Sequence, residues 1–444
     1  MIFDPDKILN YFNNKNYFLT NLLLRINIFP SLLYGFKYLR ALNELKKNKT
    51  YEKKLIDYVN EAKKSSVFYS HYPKIETIKD FKSKIKFIDK EIVLNNFSDV
   101  LSLKFDKSKY VYATTSGTTG SPMKLYLPKN RYFYELSCMH SIWKSYGWNY
   151  ETRGVIRNHK LSKDKVYNIK PFTKEFVFDA FRLDKSYVKE IYKVLISKKI
   201  KFLQAYPSSA YLFCKICKDL DLDLSFIKCI FTASEPLLNY QRKFIEKVMN
   251  LKISSFYGHS EKLIIAGDNP ISNNLQFQNF YGYVELIDRN GNDITKKGEV
   301  GELVGTGFHN NGMFLIRFRT GDFAEYVGNY TVHSKKKGLI VKNIEGHRNK
   351  NIIYKKDNTY TTTTALNLHG DLYDKIDGIQ YVQIKKGHLI VRLIKNKFFR
   401  PEDEISFYKH FDYAMGNGNS VEIIYVKRLE LNKNGKFSIL ISEL

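Results

Sequence analysis

Cysteine is scarce in this chain of 444 residues: Cys138, Cys214, Cys217 and Cys229 are all there are. That number excludes a disulfide-stapled scaffold. Cys214 and Cys217 stand at metal or redox spacing, but inside an apolar, helix-like run from Ala210 to Leu220. No second pair follows at zinc-site spacing, so buried free thiols in a reducing compartment are expected. No run of about 18 apolar residues occurs, which argues against a membrane-crossing helix. The nearest approach, Tyr17 to Phe36, is broken by Asn21, Arg25, Asn27 and Pro30. It reads as an amphipathic helix packed on the body. With the basic stretch Lys37 to Lys54 after it, peripheral contact with a membrane surface is the one membrane role left open. A basic leader is also lacking. The opening Met1-Ile2-Phe3-Asp4-Pro5-Asp6 places acid where a secretory n-region would be basic, so a cytoplasmic location is expected.

Acid is the minority charge: 45 Asp and Glu against 72 Lys and Arg leave a net charge of +27. Such an excess suits an anionic ligand, a nucleic acid or an anionic surface. The lysines are scattered and form no stripe, so a solvated surface explains most of the excess and no nucleic acid partner is expected. Hydrophobic residues at 43% and charged residues at 26% exclude a disordered, collagenous or coiled-coil chain. The length suggests two to three domains of about 100–200 residues each.

The texture changes along the chain. Residues 1–80 carry no assignable motif and read as mostly helical. Val111-Tyr112-Ala113 is strand-like, and Lys129 to Gly147 is helix-like. Strands are expected at Ile200–Gln204, Ile227–Thr232 and Leu251–Phe256, with helices at Ser208–Leu220 and Pro236–Met249 between them. That alternation predicts an α/β fold, a parallel sheet covered by helices. After Gln278, alternating strands separated by glycine turns predict an antiparallel, β-rich unit. The last hundred or so residues read as a small α/β module: a hairpin around Lys386-Gly387, a helix from Pro401 to Tyr413 and a strand from Val421 to Leu429. A linker near Glu345-Gly346 divides an N-terminal domain, 1–344, from a C-terminal one, 345–444.

The segment with the most chemistry is Thr114-Thr115-Ser116-Gly117-Thr118-Thr119-Gly120-Ser121-Pro122-Met123-Lys124. Its glycines allow close backbone approach, its N–H groups and hydroxyls can donate to phosphate oxygens, and Lys124 adds a point charge. It lacks the Gly-Lys-Ser/Thr of a Walker A loop.

This segment resembles the phosphate loop of the adenylate-forming (acyl-activating) superfamily. Three further blocks follow in that superfamily's order. Ser234-Glu235-Pro236-Leu237 is similar to its adenine-pocket turn. Tyr257-Gly258-His259-Ser260-Glu261 is similar to its aromatic–Gly–x–Ser/Thr–Glu motif. Arg317-Phe318-Arg319-Thr320-Gly321-Asp322 is similar to its Arg-Thr-Gly-Asp motif. The resemblance covers about Phe81 to Leu444. It is greatest to the phenylacetate–CoA ligase-like branch and, within it, to members associated with capsular polysaccharide biosynthesis, through Thr361 to Gly370 and the Gly-Lys-Phe ending.

The resemblance implies a large ATP- and acid-binding domain and a small mobile C-terminal lid. It implies an acyl-adenylate made from a carboxylic acid with ATP and magnesium, then acyl transfer to coenzyme A, a carrier thiol or an amino sugar. It casts Glu261 as the magnesium ligand, Tyr257 as the adenine stack, Asp322 as the ribose acceptor, Thr115, Ser116, Gly117, Thr118, Thr119, Gly120 and Lys124 as the phosphate grip, and Lys436 as the lid lysine. Ser234, Glu235, Gly258, His259 and Ser260 would complete the nucleotide side. Gln204, Tyr206, Pro207, Ser208, Phe172 and Phe231 are candidates for the acid pocket. One block departs from the pattern. Ile344-Glu345-Gly346-His347-Arg348-Asn349 has His347 where the hinge Arg stands, Arg348 one place on, and Asn349 in place of Asp. Two other readings remain: a ligand-holding relative of the same fold without turnover, and a basic protein of nucleic-acid or membrane surfaces.

Overall fold

A computed structural model describes residues 30–47, 51–114, 123–157, 159–162, 164–171, 173–235, 237–331, 334–345, 352–363, 366, 368, 372, 375–430 and 439–444. The chain divides into two compact units. The first takes in 1–42, 139–256 and 269–272; the second takes in 43–138, 257–268 and 273–444.

The first unit is organised by parallel strands. Glu175–Asp179, Arg153–Arg157, Phe202–Ala205, Cys229–Ala233 and Ile253–Gly258 lie side by side in that order, each parallel to the next. Asn168–Lys170 caps one edge antiparallel to Glu175–Asp179. These strands are short and buried on both faces, as a helix-covered parallel sheet requires. The helices Lys185–Ser197 and Pro207–Asp219 present Val188, Ile191, Leu195, Ala210, Phe213, Cys214 and Cys217 to a core shared with Ile156, Phe178, Leu203 and Ile230. All four cysteines are buried free thiols, and burial pushes the Cys217 thiol up to about 12. The region expected as one helix from Pro236 to Met249 is a short helix, Asn239–Lys243, that runs into a π-turn, Phe244–Val248. Phe231 stacks on Trp143 and Phe202, so it is a packing residue.

The second unit is β-rich and antiparallel. Gly282–Ile287 pairs with Val300–Gly307, which pairs with the long strand Phe318–Thr331, which pairs with Ser334–Glu345. The helices Tyr51–Ser65 and Ile78–Lys84 contribute Leu55, Val59, Ala62 and Phe81 to its core, with Phe314, Ile316, Leu303 and Val341. A separate four-stranded sheet holds the C-terminal residues. Ser420–Tyr425, His388–Lys395, Ile376–Gln383 and Leu440–Ser442 lie in that order. The hairpin turns at Lys386-Gly387 as expected, and Gly387 takes φ +76°, a value glycine reaches without strain. The predicted strand Val421–Leu429 stops at Tyr425. Among the described residues no helix is long and apolar enough to cross a membrane.

One interaction sets the start of the long strand. Arg317, almost fully buried, grips both oxygens of Glu285, Nε to Oε2 at 3.1 Å and Nη2 to Oε1 at 2.8 Å. Its Nη1 donates to the carbonyls of Lys82 and Ile85 at 2.8 and 2.7 Å, and its guanidinium lies 3.8 Å from the Phe87 ring centroid. Bidentate geometry and saturated donors let a buried pair hold. Removing one partner leaves a buried charge, so Arg317→Met and Glu285→Gln should each cost about 3–5 kcal/mol in urea unfolding. Replacing both by methionine should recover much of that loss. Single-variant losses below about 1 kcal/mol would show that the pair does not anchor the strand.

Candidate functional site

The strand Ile253–Gly258 delivers the first motif. Its end, Tyr257 and Gly258, is followed by a tight turn in which the Lys262 N–H donates to the His259 carbonyl at 3.1 Å. Tyr257 Oη donates to Asp322 Oδ2 at 2.8 Å, across a separation of 65 residues in sequence. The sequence motifs that end in Glu261 and in Asp322 are thus joined by a direct bond. Asp322 lies in the strand Phe318–Thr331, and its N–H donates to Thr320 Oγ1 at 3.1 Å. Thr320 Oγ1 in turn donates to the Leu303 carbonyl at 2.7 Å. The neighbouring Arg319 is held by Glu302, and the Gly321 N–H donates to the other oxygen of that carboxylate at 3.1 Å. The Arg-Thr-Gly residues therefore fix the backbone that presents Asp322.

His259 is buried, and both of its ring nitrogens are engaged. Nε2 accepts the Ile264 N–H at 3.4 Å, which leaves Nδ1 as the protonated nitrogen facing Glu261 Oε2 at 2.8 Å. The imidazole thus orients the Glu261 carboxylate. Ser260 sits in the same turn, half-buried. Lys262 ties the turn to Glu135 at 2.6 Å.

Lys90, which no sequence motif marks, is electrostatically linked to this group. Asp89 caps the helix Lys90–Asn95 by accepting the Ile92 N–H at 2.9 Å. Reciprocal bonds between Ile88 and the residues on either side of Phe318 hold that cap against the long strand. The Lys90 ammonium feels the Glu261 carboxylate, and burial, only partly offset by that carboxylate, holds its pKa down to about 8. One lysine among so many has no signature in sequence; only the fold brings it to Glu261.

Lys124 opens the strand Lys124–Pro128 with its side chain exposed, and its register partner is Thr114. The hairpin therefore brings together the two ends of the phosphate-loop segment. Thr115, Ser116, Gly117, Thr118, Thr119 and Gly120 lie outside the described residues. So do Arg348, Lys436, Phe172 and the Gly346 linker.

In the first unit, Ser234 and Glu235 follow the strand Cys229–Ala233. Ser234 is exposed, at φ +74°, a costly value for a residue with a Cβ. Glu235 Oε2 accepts the Ser208 N–H at 3.1 Å, so this carboxylate caps the helix Pro207–Asp219. Gln204 is buried in its strand, and Tyr206 is the residue before that helix.

The molecule most informative for comparison is 2-hydroxyisobutyryl-CoA ligase. Its structure with 2-HIB-AMP and CoA in the thioesterification state matches with a TM-score of 0.58 at 14% identity, covering 90% of each chain. An open conformation of the same enzyme matches with a TM-score of 0.55 at 14% identity, over 89% of this chain and 91% of that one. This is the adenylate-forming ligase fold. Protein CapK of Staphylococcus aureus is 23% identical over 470 residues, spanning 98% of this chain and 100% of CapK. No protein-family model matches the chain.

Within the adenylate-forming fold, the donor chemistry around Glu261 suits magnesium. Among the described residues no cluster of three or more His, Cys, Asp or Glu is placed to hold a metal. Magnesium needs none, because it takes one or two carboxylates and completes its shell with water and phosphate oxygens. Glu261, fixed by His259, could serve as such a carboxylate, since metal-ligating carboxylates are themselves hydrogen-bonded.

The Lys90 amine loses its proton as pH rises through about 8. Affinity for inorganic pyrophosphate, measured by calorimetry from pH 7 to 9.5, should fall above pH 8 in the wild type relative to Lys90→Arg, which shares every other titration. The same pH profile in both proteins would deny Lys90 any part in pyrophosphate binding.

Proposed function

We propose that this chain uses ATP and magnesium to activate a carboxylic acid as its acyl-adenylate, and then passes the acyl group to coenzyme A, a carrier thiol or an amino sugar. The observation that carries this reading is the Tyr257–Asp322 hydrogen bond at 2.8 Å, beside a Glu261 carboxylate oriented by His259. A fold can host unrelated activities, and it is these residues that would distinguish this one.

The chemistry assigns each group a task. A carboxylate oxygen of the acid attacks the α-phosphorus of ATP; a bond to oxygen forms there, and the bond to pyrophosphate breaks. Asp322, whose Oδ2 holds Tyr257 through its hydroxyl, faces the ribose hydroxyls, and a carboxylate has acceptor sites for both. The Tyr257 ring, half-buried and edge-on to Phe277, offers its face to adenine, with Ser234 and Glu235 assigned to the same nucleoside. Glu261 would hold magnesium, which when bound neutralises charge on the departing pyrophosphate. Lys124, Lys90 and the Thr115–Gly120 segment grip the phosphates. Lys436 supplies positive charge where the carboxylate and α-phosphate meet in the transition state. Arg348 and the Gly346 linker would turn the C-terminal lid between the two half-reactions.

CapK, whose name links it to capsule, supports a role in surface polysaccharide assembly or modification. The 2-hydroxyisobutyryl-CoA ligase structures, which contain CoA, support CoA as acceptor. The four buried free thiols suit the cytoplasm, where ATP and CoA are available.

The direct test is pyrophosphate–ATP exchange with pooled aryl, fatty, hydroxy, sugar and amino acids. Exchange with one pool is expected. ATP binding without exchange in any pool would favour a ligand-holding relative, a reading that the Asn349 hinge motivates. Lys436→Ala should depress exchange by about 10²-fold or more with ATP affinity within about threefold of wild type. Equal losses in both would refute the lid assignment. Glu261→Ala should reduce magnesium-dependent exchange by about 10²-fold, and wild-type kinetics there would place the metal elsewhere.

A further inference from the structure

Three arginines of the described residues, the buried Arg153 and the half-buried Arg131 and Arg157, have guanidinium nitrogens shielded from water without a hydrogen-bond partner. Two are tied to neighbouring groups through their other nitrogens. Arg131 spends Nη1 on the Pro128 carbonyl at 3.2 Å. Arg153 is neutralised by Glu175 at 2.7 Å, and its guanidinium lies 4.7 and 5.2 Å from the Trp143 and Trp148 ring centroids, so its orphaned nitrogens face aromatic surface.

Arg157 has no such account. It is the last residue of the strand Arg153–Arg157, at the carboxyl end of the parallel row. That end is where open α/β sheets place ligands. Its Nε is shut off from water with no hydrogen-bond partner, and among the described residues no carboxylate stands within ion-pair distance of it. The Tyr206 ring centroid is 5.9 Å from the guanidinium carbon. Glu235 acts on Tyr206 as well, but its Oε2 is already committed to the Ser208 N–H. Asp179, the register partner of Arg157 on the adjacent strand, gives its oxygens to the N–H groups of Phe181 and Leu161.

We propose that Arg157 is a specificity-determining residue that binds a second carboxylate on the acid substrate, so that the chain activates a dicarboxylic acid. The proposal rests on the adenylation reading, with the acid's tail against Gln204 to Ser208. A carboxylate accepting from Nε and one Nη would satisfy the orphaned donor and neutralise the charge in one bidentate contact. An apolar tail would leave the shielded Nε donor unpaired, which is why a guanidinium at this place discriminates.

The test is calorimetric titration of the wild type, loaded with magnesium and a non-hydrolysable ATP analogue, with matched acids: butyrate and succinate, hexanoate and adipate, benzoate and terephthalate. At least one diacid is expected to bind tenfold or more tighter than its partner, a difference of about 1.4 kcal/mol. Arg157→Ala and Arg157→Gln, if their thermal unfolding matches wild type, should erase that preference by weakening the diacid alone. Arg157→Lys, which keeps the charge and loses the fork, should restore part of it. Equal or better binding of every monoacid by the wild type, or a preference that survives in Arg157→Ala, would overturn the assignment. Pyrophosphate exchange on the same pairs separates the two claims. Diacid-selective binding without exchange would sink the adenylation reading and leave Arg157 in its role. Exchange with the monoacids alone would do the reverse.

Discussion

The buried pair between Arg317 and Glu285 is the contact on which the second unit's functional geometry depends. It joins the start of the long strand to the strand Gly282–Ile287, and through Nη1 to the helix Ile78–Lys84. Asp322 lies five residues along from that anchor, in a segment whose backbone is fixed again by Glu302 and Thr320. Ile88 and the Lys90 helix hang on the same strand end through backbone bonds. A slip of one residue in a strand turns every side chain to the other face. Pinning the strand by a saturated, bidentate pair therefore decides whether Asp322 meets Tyr257.

A second constraint is the shortage of acid. With 45 carboxylates against 72 cations, the chain commits its buried and half-buried carboxylates to local tasks. Glu285 and Glu302 hold arginines, Glu235 caps a helix, and Asp179 binds backbone N–H groups. Cations in excess are unremarkable on a solvated surface. The same excess becomes informative where a guanidinium nitrogen is shielded from water, as at Arg157, because solvent can no longer satisfy it.

Much of the fold was legible. The strands after Gln278 and the C-terminal hairpin follow from alternation and glycine turns, and the parallel row follows from apolar strands spaced by amphipathic helices. Two strands of that row escaped, Arg153–Arg157 and Glu175–Asp179. Arginine at both ends of one and acid at both ends of the other mask their apolar centres, and only pairing with neighbours shows them as buried strands. The helix expected over Pro236–Met249 broke into a short helix and a π-turn, a departure that periodicity does not register. Within the candidate site, the family resemblance singled out Tyr257, Glu261 and Asp322, but not their bonds. His259 stood as a candidate on the nucleotide side, and the structure engages both of its nitrogens internally. Lys90 and Arg157 were invisible because a single cation in a basic chain has no pattern; burial and partner geometry give them meaning.

The central claim is that the Tyr257–Asp322 pair forms the ribose side of a nucleotide site. Calorimetric titration of AMP into the wild type, Tyr257→Phe, Asp322→Ala and the double variant tests it most directly. The account predicts measurable AMP binding in the wild type and a loss of about tenfold or more in Asp322→Ala with the fold intact. It also predicts a coupling energy of about 0.5–3 kcal/mol between the two positions. AMP affinity unchanged by Asp322→Ala, or no AMP binding by the wild type, would contradict it.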